Sequence, residues 1–432
     1  MKRVLIVSPH FPPTNAPDMQ RARQCLPHLT ALGWQAEVLA VDPADATAPR
    51  DPLLLETLPA VPVHRVRALP RTLGRLLGLG SLGLRAHRAL DREGDRLLRE
   101  KRFDLVFFTT TQFVVMTLGA RWQREHGVPY VVDWQDPWVT DYYDRPGAPP
   151  PPGGWKYRFA ARQARKHEGP CLRDAAGLVS TSPEYVEQLK GRYAWFASKP
   201  AQVIPFGADP VDFAVARDAR VPSAFERRDG TRHLVYVGAV GPIMRPALEL
   251  LFAGLNEHLR SDPAARSQIR LHFVGTSYAP AGQATPSVLP LAESAGVADC
   301  VEEHTDRVGH FVALKTMLSA DALLLLGSAD RGYSPSKIAT LALAGKPVLA
   351  LIPGGGQLDQ TLASLGFAQL ARFSPAPETN AVRSFLASPG NVPAVNRELD
   401  RWKAMERTRE LAEFFSRALD ANASARRSSP AA

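Results

Sequence analysis

Short apolar runs rich in β-branched residues alternate with amphipathic stretches along most of the chain, and this alternation limits the fold more than any other feature. In the first half the runs are RVLIVSP (3–9), AEVLAVD (36–42), DLVFFTT (104–110), YVVDWQD (130–136), GLVSTS (177–182) and QVIPFG (202–207). In the second they are HLVYVGAV (233–240), RLHFVGT (270–276), ADALLLLGS (320–328) and PVLALIP (347–353). Strands that are apolar on both faces and separated by helices belong to parallel sheets with crossover helices. A chain of 432 residues is also too long for one ordinary core. The pattern therefore predicts an α/β chain of two doubly wound, Rossmann-like domains facing across a cleft, with a C-terminal helix packing back. The expected bounds are 1–210 and 211–395 for the domains, 396–421 for closing helices and 422–432 for a disordered tail. Strand character lapses over 208–230, and a proline run at 145–155 reads as a loop inside the first domain.

The three cysteines, Cys25, Cys171 and Cys300, are widely spaced and suggest neither a disulfide framework nor a zinc knuckle. The opening apolar run, Val4–Val7, is too short for a signal peptide, and no stretch reaches the ~18 apolar residues of a membrane span. The expectation is a cytoplasmic protein. A net charge of +9 is concentrated between Arg65 and Arg102, where eleven Lys/Arg face four Asp/Glu among interleaved leucines. Basic residues with leucine on the other face suit an anionic membrane surface, which is a candidate partner. Nucleic acid is not expected, since no recognition motif or aromatic interleaving accompanies the basic run.

Two turns of the second half offer anion sites. HLVYVG runs into Gly238-Ala-Val-Gly241-Pro242 and then a helix, a place where backbone amides close on a phosphate. Arg245 in that first turn is disfavoured by the helix dipole unless an anion is bound nearby. The stretch YSPSKIATLALAGKPVLAL (333–351) places Ser334, Ser336 and Lys337 at a second helix start. Two helix starts with one cation each suit a diphosphate. Neither turn is a P-loop, and SPHFPPTNAPD after the first strand is not G-x-G-x-x-G, so ATP hydrolysis and bound NAD are not expected.

In the first half GVPYVVDWQDPWVTDYY sets Asp133, Gln135 and Asp136 beside Trp134 and Trp138 at a strand end, a combination that grips sugar hydroxyls and ring faces. Asn15, Asp18 and Arg21 follow the first strand and are available to a phosphate or an acceptor. His10 reads as a hydrogen-bonded structural residue rather than a base.

These residues together resemble the GT-B glycosyltransferases of family four, nucleotide-sugar-dependent retaining enzymes of bacterial surface polysaccharide synthesis. The resemblance rests on FPPTNAPDMQRARQCLPHLTALGWQAEVL, VDWQDPW, VIPFGADPVDF and SPSKIATLALAGKPVLAL. It implies a donor site on Gly238, Gly241, Arg245, Ser336, Lys337 and Thr340, a loop with Asn15 and Arg21 over the diphosphate or acceptor, and sugar-positioning roles for Asp136 and Gln135. It also implies sugar transfer from a nucleoside diphosphate to a lipid-linked saccharide with retention, at the inner face of the membrane. No metal or other cofactor is expected, because no D-x-D cluster follows a strand. Two acids common in the family are replaced by Gly332 and Thr340, and a histidine many members carry falls on Gln135. The missing acids keep two alternatives open: a non-catalytic sugar-nucleotide or glycan-binding partner of a transferase, and a nucleotide-sugar epimerase.

Overall fold

The computed structural model describes residues 1–140, 143, 154–279, 282–329, 337–366, 368–388 and 397–428. It comprises two units, Met1–Phe206 with Ala404–Ala432, and Gly207–Lys403. The first is built on a parallel sheet of β1 (Lys2–Val7), β2 (Trp34–Val41), β3 (Val63–Val66), β4 (Leu105–Thr109), β5 (Tyr130–Trp134), β6 (Gly177–Ser180) and β7 (Ala201–Val203). Their spatial order is β3-β2-β1-β4-β5-β6-β7. The second unit holds β8 (Arg232–Val237), β9 (Ile269–Val274), β10 (Val301–His304), β11 (Ala322–Leu326), β12 (Val348–Pro353) and β13 (Ala368–Ser374), in the order β10-β9-β8-β11-β12-β13. The order reverses between β1 and β4 and again between β8 and β11. At such a reversal the connecting helices leave to opposite faces, and a crevice opens beyond the carboxyl ends of the two strands.

Residue alternation shows why the strands read as continuous apolar runs. Leu5 and Val7 of β1 join a cluster with Leu90 and Trp122, while Val4 and Ile6 join one with Leu26 and Phe415 on the other face. Both faces of the strand are covered, so both sets of side chains are apolar. The strands that the run pattern did not predict are β3, β10 and β13, and all three are sheet edges. β10, VEEH, buries only Val301, and β13 buries only Ala371. An edge strand with one side toward solvent lacks the run.

The expected closing segment 396–421 is divided between the units. Helix Arg397–Asp400 belongs to the second unit and helix Ala404–Ser428 to the first. Phe415 of the long helix packs edge-on against Trp34 and Phe107, with ring centroids 5.3 and 4.9 Å apart. The helix continues past 421 to Ser428, where a disordered tail was expected. The proline run lies almost wholly outside the described residues. The basic stretch divides at Gly78 (φ 71°) into helices Arg71–Leu76 and Leu82–Glu100. The second buries Leu82, Ala86, Leu90 and Leu97 in the core, whereas the first exposes Leu73, Leu76 and the adjoining Leu77.

Candidate functional site

In the second unit β8 ends at Val237 and the chain turns through Gly238 with φ 142°, a conformation open to glycine and rarely to other residues. A Cβ at this position would fall on the ammonium of Lys337. Lys337 Nζ donates to the carbonyl of Val237 and lies 5.0 Å from the ring centroid of Tyr236. The Tyr236 hydroxyl donates to the carbonyl of Ala239 at 3.0 Å, fixing the same turn. The segment after β11 is tied in as well, since Ala329 N donates to the Ile243 carbonyl at 2.8 Å. Gly238 of the first expected turn and Lys337 of the second thus meet beside the β8–β11 reversal.

No carboxylate pairs with Lys337 among the described residues. Burial pushes its pKa down to about 8, and the nearby charge of Arg307 pushes the same way. Arg307 follows β10 and lies over the ring of Tyr278 at 5.2 Å. Sequence reading missed this arginine because β10 itself was not recognised, and a cation just beyond a strand's carboxyl end is the signal that recognition would have supplied.

The other expected donor residues differ in placement. Gly241 precedes a 3₁₀ turn at Pro242–Met244 with φ −104°, and no atom stands where a Cβ would go, so glycine is not required there. Arg245 is exposed, and its Nε lies 2.7 Å from Glu249 one helical turn on. No described contact brings it to Lys337. Thr340 is half-buried in helix Ile338–Leu343. Ser336, Ser334 and Gly332 lie outside the described residues.

In the first unit several expected ligand groups are engaged internally. Arg21 is 5 % exposed; its Nε donates to Asp133 Oδ2 at 2.8 Å and its Nη2 to the Ile204 carbonyl at 2.6 Å. The guanidinium also lies over the Phe206 ring. Arg21 therefore braces helix Gln20–Leu29 against β5 rather than standing open to a phosphate. Gln135 is buried, with Nε2 within 2.8 Å of Asp133 Oδ2, 3.0 Å of Thr109 Oγ1 and 3.1 Å of the Asp18 carbonyl. Asn15 is buried, and its backbone donates to the Pro49 carbonyl. Trp134 is a core residue, while Trp138 is half-buried and stacks on Phe113. Asp136 is the exposed member of the group, and its carboxyl is pushed up to about 6 by desolvation and then by the neighbouring Asp18 carboxylate.

His10, expected to be structural, has an acid partner. Its Nδ1 lies 2.9 Å from Asp18 Oδ1. Asp18 in turn accepts from Thr110 Oγ1 at 2.9 Å and from the Thr111 amide at 3.2 Å. Burial acts to raise the Asp18 pKa, but the bonds from His10, Thr110 and Thr111 prevail and hold it below the usual carboxylate range.

A further cluster, His272, Glu302 and His304, brings potential metal-ligand atoms within 4.8 Å of one another. The hydrogen-bond order argues that it is a structural stack. The Arg228 amide donates to His233 Nε2, so the proton of His233 sits on Nδ1, which then donates to His272 Nε2 at 2.9 Å. The remaining His272 proton is left on Nδ1, 3.2 Å from Glu302 Oε2, where a metal would need a lone pair.

Residues 20–207 match the family model described as a glycosyl transferase 4-like domain. No curated protein matches the chain in sequence. Among solved structures, the chain is similar to the N-terminal domain of trehalose-6-phosphate phosphatase from Candida albicans, at 12% identity and TM-score 0.62 over 97% of both chains. It is similar to a UDP-forming α,α-trehalose-phosphate synthase from Burkholderia xenovorans in complex with glucose-6-phosphate, at 11% identity and TM-score 0.60, over 96% of this chain and 100% of that one. A UDP-GlcNAc 2-epimerase from Methanocaldococcus jannaschii gives 11% identity and TM-score 0.55, again over 96% and 100%. Each unit is a doubly wound parallel sheet and the chain has the two-domain α/β fold of these structures, GT-B, while residues 20–207 are similar to the glycosyl transferase 4-like domain.

Proposed function

We propose that this chain is a nucleotide-sugar-dependent glycosyltransferase, moving a hexose-type sugar from a nucleoside diphosphate to a saccharide acceptor. The observation that carries the reading is Lys337: a partly buried ammonium beside a second cation, without a carboxylate, at a glycine turn of the β8–β11 reversal. A diphosphate supplies the missing negative charge, and Lys337 and Arg307 then stabilise it as it departs. Asp136, exposed beyond β5, is the sugar-positioning group we favour in the first unit. Transfer with retention, without a metal or other cofactor, and a lipid-linked acceptor in surface polysaccharide synthesis are carried over from the family resemblance. The test is incubation with UDP-, GDP- and dTDP-hexoses, with nucleotide release as the readout. Release from at least one donor is expected, and tight nucleotide binding with no release even in membrane extract would favour a non-catalytic binding partner. The likeness to an epimerase motivates a second reading, and NMR of the recovered sugar separates it, since an epimerase alters free donor without an acceptor.

Peripheral attachment at the cytoplasmic face of an anionic membrane belongs to the same proposal. No helix among the described residues is long and apolar enough to cross a membrane. Leu76 is 85 % and Leu77 58 % exposed, flanked by exposed Arg71 and Arg75. Arg65 and Arg67, in the same basic run, are engaged with the Pro12 carbonyl and with Asp45. Replacing Arg71 and Arg75 with Gln together with Leu76→Ser is therefore expected to abolish flotation with phosphatidylglycerol vesicles, and salt should weaken the wild type. Flotation indifferent to both would end the membrane proposal.

A further inference from the structure

We propose that His233 and His272 form an acid-sensitive clasp that fastens segment 221–230, the stretch leading into β8, to the second sheet. The clasp stands apart from the glycosyl-transfer reading. His233 of β8, His272 of β9 and Glu302 of β10 lie on the face opposite the cluster of Leu234, Leu271 and Val301. Both histidines are buried, at 0 % and 1 % exposure, and the ring of Phe225 covers them with centroids 4.9 and 4.3 Å away. The segment is also held by the Ala224 amide, which donates to Thr316 Oγ1 at 2.9 Å, and by Arg227, which donates to the Ser319 carbonyl and to Asp321 Oδ1.

The pair has one direction and no place for another proton. The Arg228 amide donates to His233 Nε2 at 3.0 Å, His233 Nδ1–H donates to His272 Nε2 at 2.9 Å, and His272 Nδ1 faces Glu302 Oε2 at 3.2 Å. A proton added to His233 lands on Nε2, where it meets the Arg228 N–H. A proton added to His272 also lands on Nε2, and the bond between the rings then survives only if His233 accepts at Nδ1 and carries its own proton on Nε2. Both routes set two N–H groups against each other at the same contact. The ladder holds β8 to β9, whereas Arg228 lies in no strand, so the segment is the part that yields.

The surrounding charges divide. Glu302 and Asp321 favour the charged rings, and Asp321 Oδ2 accepts from the His233 backbone amide at 2.8 Å. Burial is the largest opposing cause at both rings, and the charges of Arg227 at His233 and of Arg228 and His304 at His272 act the same way. Lys346 lies within range of Asp321 and Arg227, Arg270 turns to the carbonyls of Arg266 and Ile269, and Lys315 turns to those of Arg217 and Asp218. Burial pushes His272 down to about 4 and holds His233 below the ordinary histidine value of about 6.5. Rings that stay neutral in the closed clasp and charge once released stabilise it fully above about pH 6.5, and that contribution is lost as pH falls toward 4.

The test follows the full chain by hydrogen exchange, read as protection factors between pH 7.5 and pH 5, together with histidine ¹⁵N spectra. Protection of the amides over 224–228 is expected to fall at least about tenfold toward pH 5 while β11 keeps its own, and His233 should carry its proton on Nδ1 at pH 7.5. In the double variant His233→Gln with His272→Gln the side-chain amides can pass the same hydrogen bonds from Arg228 to Glu302 without titrating, so the fall should vanish. Unchanged protection over 224–228, an equal loss in β11, or a His233 proton on Nε2 at pH 7.5 would each overturn the clasp. An undiminished fall in the double variant would do the same. Should that variant not fold, the wild-type exchange and spectra decide alone.

Discussion

At the reversal point of the first sheet two buried carboxylates have partners: Asp133 with Arg21, and Asp18 with His10. At the reversal point of the second, Lys337 and Arg307 stand within range of each other's charge, and Lys337 pairs with no acid among the described residues. The two sheets share their topology, so the contrast comes from side chains alone. A buried ion pair is satisfied by the fold, and removing one partner harms the fold. A partly buried cation beside another cation costs the ligand-free protein stability, and an arriving anion relieves that cost. The first pattern marks architecture; the second is the one that suits the binding of negative charge we propose.

The largest expected effect is on stability, in the first unit. Arg21→Met strands the Asp133 carboxylate, whose Oδ1 already has no partner, and should destabilise the chain by about 3–5 kcal/mol in urea unfolding. Full stability with lost nucleotide affinity would instead return Arg21 to the ligand site and break the contrast. In the second unit Lys337→Met should do the reverse. UDP affinity is expected to fall about 10- to 100-fold, matching the roughly 1.5–3 kcal/mol of a charged hydrogen bond, while the ligand-free unfolding midpoint holds or rises. A lowered midpoint with intact affinity would make Lys337 a structural residue. The smallest effect belongs to Arg245, whose exposed pair with Glu249 is of a kind worth about 0.5 kcal/mol or less. Arg245→Ala should leave UDP affinity within about twofold by calorimetry, and a tenfold loss would add it to the site.

The strands buried on both faces were legible as apolar runs, and the paired domains followed from their alternation with helices. β3, β10 and β13 were not, because an edge strand such as VEEH needs only one buried side chain. Of the candidate donor site, Gly238 and Lys337 were singled out in the sequence as a glycine turn and a cation at helix starts, and the structure brings them together through the adjacency of β8 and β11. That adjacency is a long-range property. Arg21 and Gln135 misled for a related reason: a polar residue near a strand's carboxyl end looks the same in sequence whether it faces a ligand or a buried carboxylate such as Asp133. His10 is hydrogen-bonded as expected, but its partner, eight residues on, becomes visible only when the 3₁₀ turn Pro17–Met19 folds Asp18 back under the ring.

The central claim is that the Lys337 ammonium awaits a diphosphate, and proton linkage tests it most directly. With its pKa pushed down to about 8, Lys337 is expected to be partly deprotonated near pH 8 in the ligand-free protein. A bound diphosphate favours the charged form and raises that pKa, so binding is expected to take up protons, and affinity to fall as pH rises through 8. Calorimetry of UDP binding at pH 8 in buffers of different ionisation enthalpy should show an uptake of up to about half a proton per UDP, shrinking toward pH 7 and absent in Lys337→Met. No uptake at pH 8, or the same uptake in the variant, would contradict the claim.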